Sequence, residues 1–188
     1  GQLIGAADGN VSSAVHASTS GTVKAVEMRT MAHSSGLGVL SVVIEADGED
    51  AWIDCTPVPW RSMSPGEVRD VLRDAGVVGL GGAVFPTYLK VQGSRTTAFK
   101  TLVINGAECE PFITCDDMQM RERPEGVLRG AAILRDLLQA EEVLIGIEDN
   151  KPEAVASMRA AVERLGDTGR AIEIVPVPTR QTGGKLLA

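Results

Sequence analysis

The sequence predicts an α/β protein with a small β-rich segment in front of its main domain. Two patterns carry this prediction. Residues 101–177 alternate between short apolar runs of strand length and longer segments with helical periodicity, which is typical of parallel strands joined by helices. Residues 1–56 contain only short β-prone runs separated by Asp-Gly and Ser-Gly turns. We therefore expect a β-rich domain over 1–56 and an α/β domain over 57–188.

Five runs in the first domain are expected to be strands. Each is too short for a helix with a useful apolar face, and turn dipeptides at 8–9, 20–21 and 47–48 separate them. The expected strands are Gln2–Ala6, Val11–His16, Gly21–Met28, Gly38–Glu45 and Ala51–Cys55.

The second domain is expected to begin with a helix at Ser64-Pro65-Gly66-Glu67, a capping box with proline at the first helical position. That helix stops near Gly76, and another begins near Pro86. Right-handed crossovers then join three strands into a Rossmann-like parallel sheet with flanking helices. The elements after residue 100 are expected at Leu102–Ile104 (strand), Pro124–Leu138 (helix), Val143–Ile147 (a strand buried on both faces), Pro152–Leu165 (helix) and Ile172–Val177 (strand).

Composition narrows the possible functions. The formal charge of −7, with no offsetting basic block, argues against nucleic-acid binding. No apolar run approaches the roughly 20 residues of a membrane helix. Cys55, Cys109 and Cys115 form no C-x-x-C pair, so they predict neither a disulfide framework nor a metal site, and a reducing cytosol fits best. The chain opens inside a strand pattern and closes on GGKLLA as a helical pattern begins, so we expect a fragment of a longer protein.

A glycine loop is the first candidate for a binding site. Gly79, Gly81 and Gly82 lie within four positions, where the backbone can approach a ligand without a Cβ clash. Lys90 closes the same segment, within reach of a phosphate. The loop has neither the GxGxxG spacing nor a Walker Lys-Ser/Thr pair. It predicts a nucleotide or flavin phosphate site, against the alternative of a plain tight turn.

The second candidate is the acidic turn NGAECEP at residues 105–111. It offers Asn105, Glu108 and Glu110 directly after a strand, where ligands collect in open α/β sheets. The two glutamates lie on either side of Cys109, and we expect at most one of them to face the ligand directly. We expect Glu110 to be that residue. Glu148 follows the next strand and is a further candidate, although solvated glutamates are the alternative.

Other residues have plainer alternatives. Asp116-Asp117 can indicate a metal, but we expect a helix start with solvated charges. Cys109 is expected to be a small packing residue, and Cys115 to lie in the core. Phe85 is either an apolar platform for a ring or a packing residue.

Four segments resemble the C subunit of the Rnf (also called Rsx) ferredoxin:NAD oxidoreductase complex. ADGNVSSAVHASTSGTVKAVE is similar to that family's N-terminal barrel-sandwich segment, which is lipoyl/biotinyl-like. GLGGAVFPTYLK, INGAECEPFITCDDMQMRER and VLIGIEDNKPEA are similar to its signature stretches. A more distant likeness is to the NADH- and FMN-binding flavoprotein subunit of respiratory complex I, whose glycine loop also ends in FPT-x-L-K.

The resemblance implies a site for FMN and NAD(H). Leu80 departs from the complex I pattern, which has an arginine there, and the C-terminal TRQTGGKLLA departs from the family's segment. The implied roles are backbone contacts to flavin at Gly79, Gly81 and Gly82, a phosphate contact at Lys90, flavin contacts at Asn105, Glu108 and Cys109, the nicotinamide side at Phe85 and Glu110, and the NADH side at Glu148.

The resemblance also implies an electron-transfer subunit that passes electrons between NADH and iron–sulfur centres or ferredoxin. Its partners would be the other Rnf/Rsx subunits, its clusters would lie outside this chain, and its place would be the cytoplasmic face of the bacterial plasma membrane, as a peripheral protein. Lys24 falls within a predicted strand, so the N-terminal segment is expected to lack a swinging arm. The alternatives are a docking module with a degenerate flavin site and a soluble subunit of the proline-reductase-associated type.

Overall fold

The chain divides into two units, Gly1–Leu89 and Lys90–Ala188. A computed structural model describes residues 1–80, 83–92, 99–108 and 112–179, with the backbone alone at 167, 168 and 170.

The first unit begins with two small antiparallel sheets. β1 (Leu3–Gly5) pairs with β2 (Val15–His16), and β3 (Gly21–Thr30) pairs with β4 (Gly38–Ala46). Gly21 opens β3 with a φ of 150°, and a Cβ there would lie 2.1 Å from a backbone oxygen of β4, so this start of the ribbon requires glycine. Four of the five expected strands are therefore confirmed, the second of them as only two residues.

The fifth expected strand, Ala51–Cys55, does not form, and that prediction is wrong. Residues 51–59 have no regular structure, and Trp52 and Ile53 are exposed. A strand needs a partner edge, and among the described residues β3 and β4 bond only each other. Lys24 lies within β3 as expected, where its ammonium group pairs with the carboxylate of Glu45 on β4 at 2.6 Å.

α1 (Pro65–Asp74) starts at the predicted capping box. The Ser64 hydroxyl accepts a hydrogen bond from the Glu67 amide at 3.3 Å, and the Glu67 carboxylate accepts one from the Ser64 amide at 2.7 Å. Hydrogen bonding to the Glu67 carboxylate by the Ser64 side chain, and second by the Ser64 amide, holds the pKa of the Glu67 carboxyl below its ordinary value. The helix ends as expected, because Gly76 has a φ of 70°. The helix expected near Pro86 is a single turn, α2 (Thr87–Lys90).

The second unit contains a three-stranded parallel sheet. Its strands are β5 (Thr101–Asn105), β6 (Glu142–Glu148) and β7 (Ile172–Val177), in the spatial order β5-β6-β7. Both pairings are parallel and continuous in register. The three strands and the parallel topology confirm the predicted α/β class.

Three helices join these strands: α3 (Cys115–Glu122), α4 (Pro124–Leu138) and α5 (Pro152–Arg164). A 3₁₀ segment, Gly166–Ala171, leads into β7. α4 ends where Gln139 takes a left-handed conformation with a φ of 55°. The predicted bounds of α4 are confirmed, and those of α5 differ by one residue.

The core of this unit lies on one face of the sheet. Val143, Ile145 and Ile147 of β6 are fully buried against α4 and α5, where Leu128 and Met158 are also fully buried. The residues that alternate with them on β6 are only half-buried. The expectation that this strand is buried on both faces is therefore wrong among the described residues, since α3, α4 and α5 pack on the first face.

Candidate functional site

The three parallel strands end at one edge of the sheet, and polar residues gather there. Asn105 ends β5 opposite Gly146, and Glu148 ends β6 opposite Val177. Asn105 is exposed and Glu148 is half-buried. This is the carboxyl edge, where open α/β sheets bind their ligands.

Asp149 ties two of these strand ends together. Its amide donates to the backbone oxygen of Val177 at 2.8 Å. Its carboxylate accepts from the hydroxyl of Thr179 at 2.7 Å and from the Thr179 amide at 3.0 Å. The Thr179 hydroxyl, followed by the backbone amide, holds the pKa of the Asp149 carboxyl below its ordinary value. This contact was not predicted from the sequence, although the preceding residue, Glu148, was named as a site candidate.

The turn that follows β5 is held by the Asn105 side chain and by a backbone bond to β6. The Asn105 side-chain oxygen accepts from the Ala107 amide at 3.1 Å, and the Gly106 amide donates to the Gly146 oxygen at 2.8 Å. A Cβ at Gly106 would lie 2.9 Å from that Gly146 oxygen and 3.1 Å from the sulfur of Met120 on α3. Only glycine therefore lets the turn approach both β6 and α3.

Glu108 connects this turn to β6 and α3. Its amide donates to the Glu148 carboxylate at 3.4 Å. Its own carboxylate accepts from the amides of Asp116 at 2.8 Å and Asp117 at 3.0 Å, in the first turn of α3. The Cys115 thiol lies 3.8 Å from the other carboxylate oxygen of Glu108. The Glu108 carboxylate thus satisfies two of the helix amides that have no partner within the helix.

The start of α3 differs from expectation in two residues. Cys115 is exposed, so its assignment to the core is wrong, because its thiol faces Glu108 at the open end of the helix. Asp117 is buried, so the expectation of a solvated charge is wrong there, and Arg121 one helical turn later lies 3.5 Å from its carboxylate. Asp116 is exposed as expected.

Glu108, Cys115 and Asp116 form the one group of possible metal ligands among the described residues, with their donor atoms within 4.8 Å of one another. Although Asp116 is exposed as a residue, its carboxyl is partly desolvated, and this desolvation, followed by the charge of Glu108, raises the pKa of the carboxyl above its ordinary value. Because Glu108 already bonds two amides at the positive end of α3, the arrangement is typical of a helix start. The helix start that the sequence predicts at Asp116-Asp117 is confirmed by α3.

The glycine loop belongs to the first unit, and the chain segments on its two sides are bonded to each other at its base. Val78 and Pro86 form an antiparallel bridge, and the Gly79 amide donates to the Phe85 oxygen at 2.9 Å. Leu80 is 92% exposed at the start of the loop. Val84 has a φ of 49°, which is costly for a β-branched residue and is a feature of functional sites.

An open cavity of about 500 Å³ lies beside this loop within the first unit. Its volume is in the range of small-molecule sites. Phe85, which is 39% exposed, and His16 contribute to a mainly apolar lining formed by residues 11–16, 75, 76, 78 and 83–86.

The structure thus brings together three predicted site residues, Asn105, Glu108 and Glu148, at the carboxyl edge of the sheet. Gly79 and Phe85 meet at the base of the glycine loop, and Lys90 is exposed at the end of α2. The remaining predicted residues, Gly81, Gly82, Cys109 and Glu110, lie outside the described residues.

Two family models match the chain. Residues 72–186 match the model described as the Nuo51 FMN-binding domain, and residues 1–49 match the RnfC barrel sandwich hybrid domain. The first match contains both the glycine loop and the carboxyl edge of the sheet.

Curated relatives match over almost the whole chain, and each is the C subunit of an ion-translocating oxidoreductase complex. The chain is 44% identical to the one from Haemophilus influenzae (strain 86-028NP) and 48% identical to the one from Pseudomonas aeruginosa, each over 98% of the chain. It is 46% identical over 92% of the chain to the one from Serratia proteamaculans. The chain spans only 27%, 23% and 24% of these relatives, so it corresponds to about a quarter of their length.

Solved structures share the fold. An NAD⁺-reducing [NiFe]-hydrogenase in the air-oxidized state matches with a TM-score of 0.51 at 22% identity, covering 61% of this chain and 20% of that one. The same kind of hydrogenase in the H2-reduced state matches with a TM-score of 0.55, over 63% and 22% of the two chains. Within the described part of the chain, every helix is too short or too polar to cross a membrane.

Proposed function

This chain belongs to the family of C subunits of ion-translocating oxidoreductase complexes, and from that membership we propose that it binds FMN and takes part in electron transfer between NADH and iron–sulfur centres outside the chain. We further propose that ferredoxin is the redox partner. The other subunits of the complex would hold the chain as a peripheral protein at the cytoplasmic face of the membrane.

The observation that carries the proposal is the convergence of Asn105, Glu108 and Glu148 at the carboxyl edge of a parallel sheet, inside the segment that matches an FMN-binding domain. Amide and carboxylate oxygens at such an edge fit the hydroxyl and ring N–H groups of a flavin mononucleotide. The described residues therefore fit the group in their donor and acceptor chemistry.

The phosphate of FMN needs a different environment, because carboxylates repel it. We assign the phosphate to Lys90 and to the backbone of Gly79, Gly81 and Gly82, which offer a cation and a close backbone approach. Part of the acidic charge at the edge is offset, since the Glu108 carboxylate faces the positive end of α3.

The bound flavin would supply the redox chemistry, accepting electrons in pairs from a nicotinamide and releasing them singly to iron–sulfur centres. The chain would supply position and electrostatics. We assign the flavin ring to Asn105 and Cys109, with Phe85 and Glu110 on the nicotinamide side. Glu148 would accept a hydrogen bond from NADH.

A second candidate function is a docking module whose flavin site is degenerate. The observation that favours it is Leu80, an almost fully exposed apolar residue where the complex I pattern has an arginine. An exposed leucine cannot provide the cationic contact that an arginine would make to the flavin.

FMN titration with flavin fluorescence as the signal decides between the two. We expect saturable quenching at one FMN per chain, and weaker binding of riboflavin, which lacks the phosphate. Absence of saturable quenching by either compound would reject the flavin function and favour the docking module.

A further inference from the structure

We propose that Glu108 is a positioning residue of the flavin site: its carboxylate bonds the first amides of α3 and thereby fixes the turn after β5. This inference rests on the proposed function, since it assigns a role within that site. Its basis is a series of contacts from the Glu148 carboxylate to the Glu108 amide, and from the Glu108 carboxylate to the amides of Asp116 and Asp117.

One oxygen of the Glu108 carboxylate is already bonded to α3. Both helix amides donate to the same oxygen, at 2.8 Å and 3.0 Å, and the thiol of Cys115 lies beside the other oxygen. Such charge-assisted bonds at the positive end of a helix are stronger than neutral ones. If the carboxylate turned away toward a ligand, the two amides of α3 would lose their acceptor.

The same contact removes α3 as a phosphate site. Amides at a helix start are the usual donors to a phosphate, but those of Asp116 and Asp117 already have a carboxylate acceptor. The negative charge of Glu108 would also repel a phosphate there. The phosphate must therefore bind elsewhere, which agrees with its assignment to Lys90 and the glycine loop.

What Glu108 positions is the turn itself. Residues 105–108 are fixed to β6 through Gly106 and Glu148, and to α3 through Glu108 and the close approach of Gly106 to Met120. Cys109 and Glu110, the residues assigned to flavin and nicotinamide, follow this fixed point directly. Glu108 would thus affect ligand binding indirectly, by fixing the backbone that leads to Cys109 and Glu110.

Two substitutions separate positioning from a location of the carboxylate beside the flavin phosphate. Glu108→Gln keeps a carbonyl oxygen for the α3 amides but removes the charge, while Glu108→Ala removes both. Positioning predicts FMN affinity in the order parent, Gln variant, Ala variant, because the acceptor is partly rescued by glutamine. A carboxylate near the flavin phosphate would give tighter binding in the Gln variant instead.

The experiment measures amide hydrogen exchange of the 188-residue chain by NMR without ligand, and then FMN affinity by fluorescence. In Glu108→Ala we expect exchange at Asp116 and Asp117 to rise, and FMN affinity to fall, by about tenfold each. Glu108→Gln should show smaller changes in both. Glu122→Ala, at the other end of α3, is the matched control and should change neither.

Unchanged exchange at Asp116 and Asp117 in Glu108→Ala would overturn the inference without reference to any ligand. Faster exchange with parent-like FMN affinity would overturn the positioning role. If the parent chain bound no FMN, the proposed function would fail and the flavin part of the inference with it, while the exchange data would still decide the contact with α3. If Glu108→Ala lost its far-ultraviolet circular dichroism, Glu108→Gln would decide, and tighter FMN binding by that variant would overturn the inference.

Discussion

Thr179 donates two hydrogen bonds to one carboxylate oxygen of Asp149, from its hydroxyl at 2.7 Å and from its amide at 3.0 Å. Asp149 follows β6 and Thr179 follows β7, so the pair fastens two neighbouring strand ends at the carboxyl edge. This contact makes the stability of the carboxyl edge depend on pH.

Because the pKa of the Asp149 carboxyl is lowered in the folded chain, chiefly by the Thr179 hydroxyl, its ionised form stabilises the fold. This stabilisation is present above the ordinary aspartate pKa and is lost as pH falls through the lowered value. We expect Asp149→Ala to lower the melting temperature near neutral pH, with the difference from the parent shrinking under strong acid. Thr179→Val should show the same trend more weakly, since its amide still donates. A difference that persisted unchanged into acid would contradict this account.

Lys90→Ala tests the phosphate assignment. We expect FMN binding to weaken by about 1.5–3 kcal/mol, the usual range for a lost hydrogen bond to a charged group. Riboflavin affinity should stay unchanged, because riboflavin has no phosphate. Lys100→Ala is the control, an exposed lysine beside β5. Equal FMN affinity in Lys90→Ala and the parent would remove Lys90 from the site.

Gly106→Ala tests the close approach of the turn to β6. The added Cβ would lie 2.9 Å from a backbone oxygen, so the turn must shift. We expect a loss of about 1–3 kcal/mol in the free energy of unfolding, measured by urea denaturation. Gly130→Ala, on α4 with no atom within 4 Å of the new Cβ, should instead gain about 0.5–1 kcal/mol. Similar effects of both substitutions would argue against the described geometry.

Glu110→Gln tests the nicotinamide side of the site. Flavin bound to the chain should lose its absorbance in a stoichiometric step when NADH is added without oxygen. We expect the variant to slow this step by more than it weakens FMN binding, since Glu110 is assigned to the nicotinamide. Equal effects on both would assign Glu110 to the flavin. Steady reduction of ferredoxin by this chain alone would contradict the assignment of the iron–sulfur centres to other parts of the protein.

Local signals in the sequence predicted the helices well. Pro124 at the first helical position and the apolar periodicity up to Leu138 place both ends of α4 at the observed residues. The capping box does the same for the start of α1. These signals act within one or two turns of helix, so no tertiary information is needed to interpret them.

Contacts distant in sequence were harder to predict. Ala51–Cys55 has strand composition but no strand partner among the described residues, and composition does not encode pairing. The turn after β5 was predicted as a ligand site, yet the bond from Glu108 to α3 joins residues eight positions apart through a loop. Neither spacing nor residue type indicates that contact, or the exposure of Cys115 beside it.

The ribbon of β3 and β4 affects how the purified chain behaves in solution. Val26, Met28 and Leu40 on its strands are 60%, 64% and 71% exposed. Strands that present apolar side chains and backbone edges to solvent are templates for pairing with another molecule. Mutual repulsion from the net charge of −7 opposes this pairing. Acidification to the isoelectric point, about pH 4.9, removes that repulsion, so aggregation near this pH should begin at the ribbon and rise with protein concentration.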